Sequence, residues 1–146
     1  MAESTAFDGY GIIFGIGDGT SSESFVDVAE IIDVSGPGFS RDTIDVSHSG
    51  SPNHYREFIA GFKDGGEVTL TMNMTQADYT SFLAKFDSDA ANNFKITIPD
   101  SNFTTLPTIL FSGIVTGVET EYSIEDKVTA NVTIKVTGKP VHTQGT

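Results

Sequence analysis

From Lys127 to Val136 the chain alternates without a break. Val128, Ala130, Val132, Ile134 and Val136 are apolar, while Lys127, Thr129, Asn131, Thr133 and Lys135 are polar. A β-strand points successive side chains to opposite faces, so this pattern gives it one dry side and one wet side. Glu67 to Met74 repeats it, with Val68, Leu70, Met72 and Met74 set against Glu67, Thr69, Thr71 and Asn73. Phe94, Ile96 and Ile98 do the same against Lys95 and Thr97, until Pro99 stops the run. One-sided strands of this kind belong to antiparallel sheets that pack one face on a core.

The remaining periodic segments fit the same scheme. Tyr10, Ile12, Phe14 and Ile16 alternate with Gly11, Ile13 and Gly15, a strand whose nearly bare second face invites another backbone or a neighbouring copy. Phe25 to Val34 reads as one strand with apolar residues on both sides. Pro107 to Val118 reads as a strand with Gly113 as a candidate bulge, and it forms a long hairpin with the last alternating run. Thr75 to Phe86 is the exception. Tyr79, Phe82, Leu83 and Phe86 recur at helical spacing, and Asp78 follows Thr75 by three residues in the manner of a capping box. The expected fold is therefore mainly β: an antiparallel β-sandwich or partly open barrel with one α-helix at about 75–87. No repeat or linker divides the chain. A single domain is expected over 1–138, with a flexible start at 1–8 and a polar tail at 139–146 that is mobile or ordered only by a neighbour.

Ile31 to Glu67 has no clean period. Turns are expected at Gly36-Pro37-Gly38, Ser51-Pro52-Asn53 and Asp64-Gly65-Gly66, with a short extended piece at Ser40 to His48 and barely two turns of helix at His54 to Phe62. A long irregular arm at about 35–66 results. It carries Phe39, Tyr55, Phe58 and Phe62, interleaved with Arg41, Arg56, Asp42, Asp45 and Asp64. Aromatic residues with arginine and countercharges make a protein–protein contact composition. Such an arm either folds back on its own body or reaches a neighbour. These residues, together with His48, are the candidates for subunit contact.

The same stretch carries a family resemblance. Val34 to His48, then Ser51-Pro52, Tyr55-Arg56-Glu57-Phe58 and Asp64-Gly65-Gly66-Glu67, resemble the tail tube proteins of lambda-like phages with long non-contractile tails. The resemblance implies a β-sandwich subunit of the virion tail, made in the bacterial host cytoplasm. Such subunits close into hexameric rings that stack into a tube through which DNA is ejected. It implies tape-measure, tail terminator and distal tail proteins as further partners. Some relatives add a C-terminal immunoglobulin-like domain, for which this chain has no room.

Composition narrows the function. The chain has 20 acidic against 8 basic residues, a net charge of −12, which opposes binding to phosphate backbones or anionic membranes. In a tube, the same charge would let DNA slide without specific binding. Candidate channel-lining residues are Glu23, Asp27, Glu30, Asp33, Glu67, Glu119 and Glu121. The absence of cysteine removes thiol catalysis and thiolate metal sites. Residues 1–8 show no signal peptide and no segment has the length of a membrane span. Gly15-Ile16-Gly17-Asp18-Gly19 lacks the spacing of a phosphate loop, Asp18 to Glu23 lacks that of a calcium loop, and His48 and His54 with Asp45 lack a third ligand. Neither an enzyme nor a cofactor is expected. Two other readings stand beside the phage tube: a secretion-system tube subunit, and a monomeric sandwich that binds a ligand.

Overall fold

The computed structural model describes residues 3–146, so residues 1 and 2 of the expected flexible start lie outside the described residues. The elements, in chain order, are β1 (Ile13–Gly17), β2 (Phe25–Asp27), β3 (Ile31–Ser35), β4 (Ser40–Asp45), β5 (Phe58–Asp64), β6 (Glu67–Asn73), α1 (Gln76–Phe86), β7 (Asn92–Thr97), β8 (Thr108–Glu121) and β9 (Thr129–Thr143). Seven strands form one sheet in the order β2-β1-β7-β8-β9-β6-β3, and β4 and β5 form a separate pair. Every pairing is antiparallel. The mainly β fold with one helix is as expected, and the sheet is not closed into a barrel.

The connectivity nevertheless requires the sheet to curl. β2 and β3 are its two edges, yet only Val28, Ala29 and Glu30 separate them. Three linking residues span at most about 14 Å, whereas seven strands laid flat would place the edges about 29 Å apart. The link is held at three points. The Val28 N–H donates to the Phe14 carbonyl at 2.8 Å, the Ala29 N–H donates to the Asp78 carboxylate at 3.1 Å, and the Glu30 carbonyl accepts from the Asn73 N–H at 2.9 Å. The single strand expected at Phe25 to Val34 is thus two strands, broken where the chain crosses from one edge to the other.

The inner face of the curl is the core. Phe14, Val68, Leu70, Met72, Phe94, Val132 and Ile134 are fully buried there, and Phe82 of α1 fills the opening from the helix side. Phe14 sits among Phe82, Phe94 and Phe111, with ring centroids 5.7–6.4 Å away, in the range of favourable aromatic pairs. Among the described residues, no polar or charged residue is buried. α1 starts as expected: the Thr75 hydroxyl oxygen accepts from the Asp78 N–H at 3.3 Å and its O–H donates to the Asp78 carboxylate at 2.9 Å. Thr75 thereby caps the helix, and Asp78 ties it to Ala29.

Three further expectations change. The long arm is regular: β4 and β5 pair as a hairpin, with Ile44 opposite Ile59 and Asp45 opposite Phe58. The helix expected at His54 to Phe62 does not form, because Asn53 and His54 turn the chain at φ 56° and 64° and Phe58 to Asp64 then pair with β4. The polar tail is no tail: Val141, His142 and Thr143 pair with Leu110, Ile109 and Thr108, and the Thr146 N–H and carbonyl bond the backbone at Thr104 and Thr105. Backbone pairing fixes this segment, so it needs no apolar alternation.

Candidate subunit interfaces

The β4–β5 hairpin starts at a tight root. Gly36 has φ +97° and an added Cβ would strike the Glu67 carbonyl, while Gly66 has φ +72° and an added Cβ would lie 2.6 Å from the Gly38 carbonyl oxygen. Two backbones therefore cross at a distance that only glycine permits. The Asp64 carboxylate accepts from the Gly66 N–H at 2.8 Å and from Lys135 Nζ at 3.1 Å. The Gly66 bond first, and then Lys135, hold its pKa below the ordinary 3.8. The tip is ordered by its own polar groups. Ser47 accepts from the Glu57 N–H at 2.7 Å, Ser51 donates to Glu57 at 2.8 Å, and His48 lies 3.5 Å from the same carboxylate. Arg56 pairs with Asp45 at 3.7 Å, and Ser47, through its side chain first and then its backbone N–H at 2.8 Å, holds the Asp45 pKa below 3.8.

Apart from its contact with β9 near the root, the hairpin stands open among the described residues. Every residue of β4 is exposed, as is every residue of β5 except the half-buried Gly61. Phe62 is 89% exposed, Tyr55 76% and Phe39 66%, and Phe58, Ile44 and Ile59 each lie about half open. A two-stranded hairpin with two wet faces is marginal by itself. The structure brings all ten contact candidates onto this hairpin and its root. Ile44, Val46 and Ile59 join them as exposed apolar residues. Nothing in the sequence pattern marks these three for contact; the β4–β5 pairing, with Ile44 opposite Ile59, leaves them exposed.

The channel candidates divide into two groups. Residues directly opposite in a sheet share a face. Glu119 opposes Asn131, Glu121 opposes Thr129, Glu67 opposes Lys135 and Asp33 opposes Thr71. These residues stand on the outer wall formed by β3, β6, β9 and β8, together with Thr69, Thr133 and Asn73. The Glu30 carboxylate joins them, accepting from the Asn73 amide at 3.4 Å. The wall thus has five carboxylates among neutral Thr and Asn, with the Thr71 hydroxyl donating to Asn131 at 2.9 Å. Lys135, the cation opposite Glu67, reaches out to Asp64.

Glu23 and Asp27 lie on the other outer face, over β1. An added Cβ on Gly17 would meet the Glu23 carboxyl at 2.6 Å, and one on Gly15 would meet Phe25 at 3.0 Å. Glu23 accepts from the Gly19 N–H and from Asn93, both at 2.8 Å, and Lys95 sits 4.8 Å from the Phe25 ring centre. The bare face of β1 is therefore filled by side chains at and before β2. It is not an open patch for a neighbour. Among the described residues, no three His, Asp or Glu side chains gather as a metal site, and no helix is long and apolar enough to cross a membrane.

The family described as lambda phage tail tube protein matches residues 8–143. The chain belongs to that family. As a tail tube protein it is a structural component of the virion tail. No curated protein matches the sequence. Solved structures share the fold. The tail of an empty gene transfer agent particle, refined with C6 symmetry, has a TM-score of 0.73 at 20% identity, covering 94% of this chain and 99% of that one. The sheath–tube complex of an extracellular contractile injection system, PVC, has a TM-score of 0.71 at 16% identity over 95% and 92%. The SPP1 tail tube has a TM-score of 0.61 at 13% identity over 92% and 76%.

Proposed function

We propose that this tail tube protein closes into hexameric rings, that the rings stack into a tube, and that the tube carries DNA during ejection. The observation behind this reading is the β4–β5 hairpin, which has an ordered tip, a fixed root and apolar residues exposed on both faces. A ring joins each subunit head to tail and so needs two different patches per copy. The hairpin is one of them, and the body of the adjacent copy is the other. The six-fold symmetry of the gene transfer agent tail supports the ring number. The wall of Glu30, Asp33, Glu67, Glu119 and Glu121 then faces the lumen. Carboxylates there repel the phosphate backbone and neutral Thr and Asn offer it no cation, so DNA slides without being held. Glu23 and Asp27 are assigned no part in the channel, since Glu23 is engaged over β1 and Asp27 shares that face.

Replacing Phe58 and Phe62 together with Ala tests the hairpin. The variant is expected to stay folded and soluble, and to sediment as a monomer at concentrations where the unaltered chain forms rings or tubes. Normal tubes from it in negative-stain micrographs would remove the hairpin from the interface. The likeness to an injection-system tube keeps a second assembly in view. Neighbouring genes for capsid, terminase and tape-measure proteins decide between the two.

A further inference from the structure

Four of the chain's eight cations line one open groove of about 760 Å³ between the hairpin and β9. Arg41 and Lys63 come from the hairpin side, and Lys135 and Lys139 from β9. Its apolar floor and rim are Phe39, Val136 and Pro140. The one carboxylate in the groove, Asp64, is already engaged by Lys135 and the Gly66 N–H. Arg41, Lys63 and Lys139 have no carboxylate within ion-pair distance among the described residues. That is unexpected in a chain with 20 acidic residues. An unpaired basic pocket with an apolar floor calls for an acidic, apolar visitor.

The same chain presents one at its opposite end. The loop between β8 and β9 holds Glu125 and Asp126 beside Ile124 and Tyr122, with Glu121 just before it. Ile124 is 103% exposed and Tyr122 69%, so neither side chain packs on the body of its own chain. From Thr129 to Thr137, β9 alone places the loop about 26 Å from the groove, so no chain can fill its own groove.

We infer that the β8–β9 loop of one copy docks in the groove of a copy in the next ring, with Glu125 and Asp126 meeting Lys63 and Lys139 and Ile124 against Phe39 and Pro140. This rests on the stacked-ring reading and gives the stack a polarity, loop end to groove end.

The chain has no cysteine, so a pair introduced as Ile124→Cys and Thr137→Cys reports this contact cleanly. Within one chain the two sites are far beyond the roughly 7 Å limit of a disulfide. Assembled material is expected to give a ladder of chain multiples on a non-reducing gel, collapsing to one band with reductant. Lys63→Glu with Lys139→Glu is expected to abolish stacking while rings persist, and adding Glu125→Lys with Asp126→Lys to restore it. Full-length tubes without the ladder, or tubes from the groove reversal alone, overturn the assignment. A synthetic peptide of residues 119–128, titrated into unassembled chain, separates this from the ring reading. It is expected to shift the NMR signals of Phe39 and Gly138, and to lose that effect in the groove reversal. Peptide binding without any ring removes the ring reading alone, whereas rings with no peptide shifts remove the groove.

Discussion

The curled sheet and the β4–β5 hairpin come from one chain and obey different rules. The sheet encloses Phe14, Phe82, Phe94 and Leu70 at 0% exposure, and its buried side chains are apolar. The hairpin has about as many aromatic residues for its length and buries none of them. Hydrophobic content therefore does not separate the two; what separates them is the presence of a second layer. The sheet provides its own by curling around Phe82, while the hairpin has no layer within this chain. A folded body with an unfinished appendage is what a subunit needs if it must be soluble before assembly and locked afterwards.

The contrast can be broken most forcefully from the body side. Phe82→Ala opens a cavity at the centre of the aromatic cluster and is expected to cost about 3–5 kcal/mol. Urea denaturation of the unassembled chain measures it, and a loss below about 1 kcal/mol would deny the cluster its role. Gly65→Ala strikes the joint between the two regions. Its Cβ would lie 2.6 Å from Val136 and 3.1 Å from Pro140, so an overpacking cost of about 1–3 kcal/mol is expected, together with lost assembly because the hairpin swings off β9. Replacing Phe58 and Phe62 should change the monomer's stability by no more than about 0.5 kcal/mol, as for other exposed positions, and still prevent tubes.

Smaller effects sharpen the comparison. Changing Asp33, Glu119 and Glu121 to Lys is expected to leave stability and assembly intact and to slow DNA passage, read as ejection kinetics. Unchanged kinetics would remove the wall from the channel. Acid should act at the hairpin root. The Asp64 pKa is depressed in the fold by Gly66 and then Lys135, so its contribution is complete above the ordinary 3.8 and disappears as pH falls below it. The NMR shift of the Gly66 amide should titrate with a midpoint under 3.8. A midpoint at or above that value contradicts the hydrogen bond.

Much of the body was legible because one face of each long strand is dry. Strict alternation identified β6, β7 and β9, and Thr75 with Asp78 marked the start of α1. The hairpin was legible only as turns and contact chemistry. Both of its faces are wet, a bulge between Arg41 and Thr43 disturbs its register, and Phe58, Ile59 and Phe62 mimic helical spacing. The last residues of β9 are held by backbone bonds that leave no periodic trace. The acidic wall was half legible. Alternation aligns Glu67 with Thr69 and Thr71, but Glu23 and Asp27 could not be set apart until β2 was seen to pair with β1 over two glycines.

Amide hydrogen exchange on β4 and β5, in the unassembled chain and in tubes, tests the central claim most directly. The account predicts rapid exchange at Thr43, Ile44, Ile59 and Ala60 in the lone subunit and strong protection once copies join, with β6 and β9 protected in both states. Full protection of β4 and β5 in a chain that is still monomeric would mean that the hairpin needs no neighbour, and would contradict it.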